Sequence, residues 1–217
     1  MQSSVPHVLK NLDRTHNPES VARAVNDARA AGFDHISVDL IYGTPGESIE
    51  DWRTTLDDAL TLDIDHISAY ALIVEEGTKL ARQVERGEIA APDDDEMAEK
   101  YLIADSAMSE KGFTWYELSN WAKPGGQCRH NMVYWQSGNW WGLGPGAHSH
   151  LLGRRWWNVK HPATYGKKIT SGLSPEDGYE ILTEEEKRTE NILLRIRLDS
   201  GLTLSELPNQ IAVQLEK

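Results

Sequence analysis

A single cysteine among 217 residues excludes an internal disulfide and suits a reducing cytoplasm. Positive charge is scarce too: 22 Lys and Arg stand against 34 Asp and Glu, a net charge of −12. Nucleic-acid binding rests on cations that neutralise phosphates, and an anionic membrane surface asks for the same. We therefore expect neither as a partner. No apolar run approaches the ~18 residues of a membrane span. The opening Met1-Gln2-Ser3-Ser4-Val5-Pro6-His7 has neither the basic head nor the apolar core of a secretory leader.

Tryptophan and histidine, by contrast, are concentrated. Residues 128–150 hold the one cysteine, three of the eight histidines and three of the eight tryptophans. Trp115, Trp121, Trp156 and Trp157 lie just outside. Aromatic rings beside imidazoles and a glycine run suit a large flat ligand. The plainer alternative is a tryptophan-rich core under a glycine-rich turn.

Upstream, the pattern alternates between helix and strand. Residues 1–16 read as a loop and a short helix. Asn17 is placed to cap a second helix, with Pro18 at its first position and Gly32 just past its end. Over residues 35–42 the period drops to two: Ile36, Val38 and Leu40 share one face, Ser37, Asp39 and Ile41 the other. Gly43-Thr44-Pro45-Gly46 breaks this strand. Ser48 with Asp51 resembles a capping box, Trp52, Leu56, Ala59 and Leu60 stripe the next helix, and residues 66–73 form a second strand. Helix–strand–helix–strand predicts an α/β fold, with parallel neighbouring strands joined by a helix over 48–62. Ligands in such folds sit at the carboxyl ends of the strands. Asp39, turned away from the helices and near Ile73, is thus a candidate ligand contact; the alternative is a structural ion pair.

Further helices are expected over 78–86, from Pro92 and the acids Asp93, Asp94 and Asp95 to Gly112, and over 161–171, 183–198 and 202–216. Strands are expected over 113–118 and 154–159. The acid triplet reads as a helix start rather than a cation site. If they lay on a strand, His148 and His150 would share a face, and with His130 they invite a zinc reading. Gly142-x-Gly144-x-Gly146 has Trp140 and Trp141 before it instead of the strand a dinucleotide loop needs. A nucleophile pair of Cys128 and His130 lacks a third, orienting group.

The motifs carry more together than apart. Asp39-Leu40-Ile41-Tyr42-Gly43-Thr44-Pro45-Gly46, His66-Ile67-Ser68-Ala69-Tyr70, Tyr116-Glu117-Leu118-Ser119-Asn120-Trp121-Ala122, Cys128-Arg129-His130-Asn131-x-x-Tyr134-Trp135 and Gly142-x-Gly144-Pro145-Gly146-Ala147-His148-Ser149 follow in that order. This series resembles the radical S-adenosylmethionine proteins related to oxygen-independent coproporphyrinogen III oxidase. The His-Asn-x-x-Tyr-Trp stretch is similar to that family's heme chaperone branch. The resemblance implies the C-terminal part of a partial (β/α) radical S-adenosylmethionine barrel over residues 1–80, then a smaller family-specific α+β region over 81–217. It implies S-adenosylmethionine contacts at Gln2, Arg14, Asp39 and Ile73. It implies heme contacts at His130, Asn131, Tyr134 and Trp135, with His130 ligating the heme iron. Imidazole is a common axial ligand, and flanking aromatics suit a porphyrin face.

The family's Cys-x-x-x-Cys-x-x-Cys motif, which holds its [4Fe–4S] cluster, is absent here, and Cys128 alone cannot replace it. No catalytic residue is assigned and no radical chemistry is expected of this chain by itself. On the same pattern the chain reads as an internal fragment, truncated at both ends. The leading expectation is a cytoplasmic heme chaperone that binds heme and passes it to acceptor hemoproteins. The alternatives are a coproporphyrinogen III oxidase, which decarboxylates propionate side chains by a radical route, and a small α/β scaffold without a ligand. The motif at His130 favours the first.

Overall fold

Local chemistry sets most of the element starts in the computed structural model, which describes residues 1–203 and Leu207. Helix α1 (Pro6–Asn11) begins on a proline, whose missing N–H would be unpaired there anyway. Asn17 accepts from the Ser20 N–H at 2.9 Å and opens α2 (Pro18–Ala30). Strand β1 (Ser37–Tyr42) follows, and the Ser48 and Asp51 side chains then cap each other's backbone at the start of α3 (Ile49–Leu60). After β2 (His66–Ala71), Thr78 caps α4 (Lys79–Glu85) and Asp93 caps α5 (Asp94–Glu110). Asp94, Asp95 and Glu96 meet the positive end of the α5 dipole.

The first compact unit, Met1–Gln127, is built on a sheet of order β1-β2-β4-β3, where β3 is Thr114–Glu117 and β4 is Asn120–Ala122. β1 and β2 are parallel, in register from Ser37 opposite His66 to Tyr42 opposite Ala71. β4 pairs antiparallel with both β2 and β3. Gln2 adds an isolated parallel bridge to Leu40 on the free side of β1. Val38, Leu40 and Tyr42, with Ile67, Ala69 and Trp121, face Trp52, Leu56 and Ala59 of α3 and Ala104 and Met108 of α5. Such side chains each gain about 1.5–3 kcal/mol from burial, so this single core dominates the unit. The period-two reading of residues 35–42 is thereby realised, with Ser37 and Asp39 exposed on the face away from the helices.

A charged pin crosses the same layer. The fully buried Lys100 Nζ donates to the Glu47 carbonyl at 2.7 Å and pairs with Glu47 Oε2 at 3.1 Å and Glu96 Oε1 at 2.6 Å. Glu47 Oε2 also accepts from the Gly43 N–H at 2.8 Å, so α5 holds the loop that leaves β1.

The second unit, Cys128–Lys217, contains α6 (Arg129–Trp135), β5 (His148–Leu151), β6 (Arg154–Asn158), α7 (Pro162–Thr170), β7 (Glu176–Ile181) and α8 (Glu184–Arg195). Its sheet is an antiparallel meander, β5-β6-β7.

Several sequence expectations need correction. β2 stops at Ala71 rather than Ile73, because the Leu72 N–H makes the last sheet bond, to the Tyr42 carbonyl, before the chain leaves. β4, β5 and β7 were not expected as elements. By compactness the chain divides after Gln127, which keeps β3 and β4 in one unit with β1 and β2. The helix expected over 202–216 lies outside the described residues.

Candidate functional site

The seven-residue helix α6 stacks His130 and Tyr134, four apart, on one face. The Tyr134 hydroxyl lies 2.9 Å from His130 Nε2, and the two rings meet edge-on at 5.0 Å. Tyr134 meets Trp140 edge-on at 4.7 Å, and Trp140 lies 4.9 Å from His150. His130 is exposed; Asn131, Tyr134 and Trp135 are half-buried. His130, Tyr134 and Trp135 all lie on this helix, and Trp135 ends it. Trp135 lies under the Arg197 guanidinium, 5.8 Å from its ring centroid, while Trp141 meets Trp156 edge-on at 4.9 Å.

The other two histidines do different work. His150 Nδ1 donates to the Gly138 carbonyl at 2.8 Å, and its Nε2 accepts from the Gly153 N–H at 3.2 Å. Both nitrogens are thus occupied in the neutral ring. His148 is exposed beside Trp157, 5.8 Å between centroids. No group of three or more His, Cys, Asp or Glu able to hold a metal ion occurs among the described residues, which removes the zinc reading. The glycine run is structural. A Cβ on Gly142 would meet the His148 carbonyl oxygen at 2.1 Å, and Asn158 Nδ2 donates to the Gly142 and Gly144 carbonyls at 3.3 and 2.9 Å. Beside this run, a cavity of ≈ 330 Å³ opens between Tyr134, Trp140 and His150 on one side and Leu193, Leu194 and Arg197 on the other.

In the first unit, Gln2 and Asp39 meet through the backbone. The Gln2 N–H donates to the Asp39 carbonyl at 2.6 Å, and Gln2 itself holds a left-handed φ of 60°. Such a backbone is uncommon outside glycine and is often kept where a site needs it. Burial lowers the pKa of the Met1 amine; the Asp39 carboxylate opposes that shift and the Arg14 guanidinium adds to it. Asp39 and Arg14 therefore both lie within electrostatic reach of Met1. Ile73 is 71% exposed just past β2, but the register sets Asp39 level with Ser68, further down the sheet.

Sequence reasoning singled out only Asp39 from a polar row on this face. Asp39, Ser68, Asn120 and Glu117 lie opposite one another across β1, β2, β4 and β3. A β-bulge between Trp115 and Glu117 turns Glu117 toward Asn120. Glu117 Oε1 and Asn120 Oδ1 are buried without a hydrogen-bond partner. Burial raises the Glu117 pKa, and its bond from the Ser119 N–H pulls the other way. One residue pair below, His66 Nδ1 lies 2.6 Å from Ser37 Oγ and its Nε2 2.7 Å from the Tyr116 hydroxyl. Burial lowers the His66 pKa, against the pull of Asp39 and Asp65. The available signal was the polar residues at alternate positions of the strands.

Comparison with known proteins accounts for this architecture. No family model matches the chain. The structure of coproporphyrinogen III oxidase (HemN) from Escherichia coli, a radical SAM enzyme, superposes on all of the chain and 52% of its own, with a TM-score of 0.77 and 17% identity. That likeness concerns the fold. In sequence, the heme chaperone HemW of Mycobacterium tuberculosis is 53% identical over 207 residues, 95% of this chain and 53% of that protein. HemW of Bacillus subtilis is 34% identical over 94% of the chain and 54% of its own length. A mouse protein, radical S-adenosyl methionine domain-containing protein 1, mitochondrial, is 39% identical over 70% of the chain. Fold and motifs together define a part of a radical S-adenosylmethionine protein of the coproporphyrinogen III oxidase-like kind. Within that group, the chain belongs to the HemW family. It spans about half the length of the curated relatives it matches.

Proposed function

We propose that this chain forms the heme-handling part of a cytoplasmic heme chaperone, which takes heme at His130 and passes it to acceptor hemoproteins. The observation that carries this reading is the exposed His130 imidazole on α6, backed by the Tyr134 and Trp140 rings. The donor chemistry fits a heme iron, and the flanking rings suit a porphyrin face. Tyr134 must leave Nε2 before iron takes that nitrogen, and a single neutral hydrogen bond contributes only about 0.5–1.5 kcal/mol. Asn131, Tyr134 and Trp135 complete the site. The chain's residues bind, orient and release the heme; heme itself is the cargo.

Gln2, Arg14, Asp39 and Ile73 would hold S-adenosylmethionine in the same reading. A carboxylate and a guanidinium, Asp39 and Arg14, suit a ligand with both ammonium and carboxylate groups. The residues here do not fit a [4Fe–4S] cluster, because the chain has one cysteine. The oxidase reading requires that cluster and gains no support from a fold likeness at 17% identity.

Heme titration followed by absorbance tests the proposal. His130→Ala should weaken binding and shift the Soret band with the far-ultraviolet dichroism unchanged, and His148→Ala should do less. A wild-type chain that takes no heme, or a folded His130→Ala with an unaltered spectrum, sinks it.

A further inference from the structure

We infer that the cavity behind Tyr134 is a carboxylate pocket that takes the propionate edge of a heme, with Arg197 as its cation; this rests on the heme reading above. The cavity measures ≈ 330 Å³, the lower end of the ~300–1,000 Å³ of small-molecule sites. It admits one edge of a tetrapyrrole rather than the whole. Tyr134, Trp140, Leu193 and Leu194 give it an apolar wall, and its charged groups are Arg155, Glu190 and Arg197. Arg155 is already neutralised: its Nη1 lies 2.9 Å from Glu190 Oε1 and its Nε 2.8 Å from Glu180 Oε1. Glu190 is matched by the same contact. His150 has both ring nitrogens bonded to backbone.

Arg197 is the group left over. Among the described residues it has no acidic partner, and its exposed guanidinium is steadied over the Trp135 ring. An arginine unpaired among the described residues, beside an apolar cavity and in a chain of net charge −12, selects an anion with an apolar body. The guanidinium fork matches a carboxylate with two parallel hydrogen bonds. Ring-to-ring steps of 5.0 and 4.7 Å lead from His130 through Tyr134 to Trp140 in the cavity wall. A porphyrin ligated at His130 thus lies along Tyr134 with its acidic edge toward Arg197.

The test titrates the 217-residue chain with heme and with heme dimethyl ester, comparing wild type, Arg197→Glu and Arg197→Lys. Arg197→Glu should weaken heme binding about tenfold, the low end for a charge-assisted bond. The Soret position should hold, because the axial ligand is untouched. Arg197→Lys should retain part of the affinity, while the ester should bind wild type weakly and Arg197→Glu no worse. Equal heme affinity in wild type and Arg197→Glu overturns the pocket and leaves heme at His130 standing. So does an ester that binds wild type as tightly as the free acid, a comparison that needs no variant to fold. No heme binding by wild type removes both the heme reading and the pocket.

Discussion

The nitrogen of His130 proposed to ligate iron is under guard: the Tyr134 hydroxyl lies 2.9 Å from Nε2. Tyr134→Phe keeps the ring that backs the imidazole and removes the bond that must break. Heme binding should then tighten by about two- to tenfold, the worth of one neutral hydrogen bond; weaker binding would mean that the hydroxyl holds the bound state instead. A second residue-scale test concerns Glu117. Burial raises its pKa, so the folded chain keeps the proton to a higher pH than the unfolded chain does. Stability therefore falls as pH rises from the usual carboxylate range through the folded value, and the penalty is complete above it. Glu117→Gln removes the ionisation and brings a donor opposite the orphaned Asn120 carbonyl. It should raise stability at neutral pH by roughly 1 kcal/mol, with no gain in strong acid. A neutral-pH loss in thermal unfolding would show that the ionised carboxylate is needed.

Lys100 and Glu47 show what an element can conceal. The α5 stripe of Met97, Tyr101, Ala104 and Met108 was legible from spacing, yet Lys100 lies fully buried beside it, held by Glu47 and Glu96. Lys100→Met strands the Glu47 carboxylate in the core and should cost about 3–5 kcal/mol in denaturant unfolding. Adding Glu47→Gln should recover most of that loss, and a double variant no better than the single would show that the pair does not act as a unit. The capped helices and the alternating strand β1 were legible because their signals are local. β4 has only three residues, too few to set a period, and it exists because Ser68 and Ile67 offer it an edge. β7 reads Glu-Asp-Gly-Tyr-Glu-Ile; its register with β6 is supported by ion pairs from Arg154 to Glu176 and from Arg155 to Glu180. The candidate site divides in the same way. Helical spacing set Tyr134 against His130, but Trp140, His150, Leu194 and Arg197 gather around them only through the tertiary fold of the second unit.

At the scale of the whole molecule, the two cofactor expectations separate. Every residue invoked for heme, from His130 to Arg197, belongs to the second compact unit and is present in this chain. A [4Fe–4S] cluster instead needs several thiolates, and the chain supplies Cys128 alone. Incubation with iron and sulfide, followed by desalting, should therefore leave no stoichiometric brown species, while the same desalted sample should still take up heme. Cys128 stands at the N-cap of α6, two residues before His130, so a thiolate is the main rival to imidazole as an axial ligand. Cys128→Ser separates the two: with imidazole ligation the Soret band and heme affinity should remain those of wild type. A Soret shift in Cys128→Ser with none in His130→Ala would move the iron to sulfur. A cluster spectrum in the wild-type chain would require thiolates from a second copy, and the stoichiometry of iron per chain would reveal it.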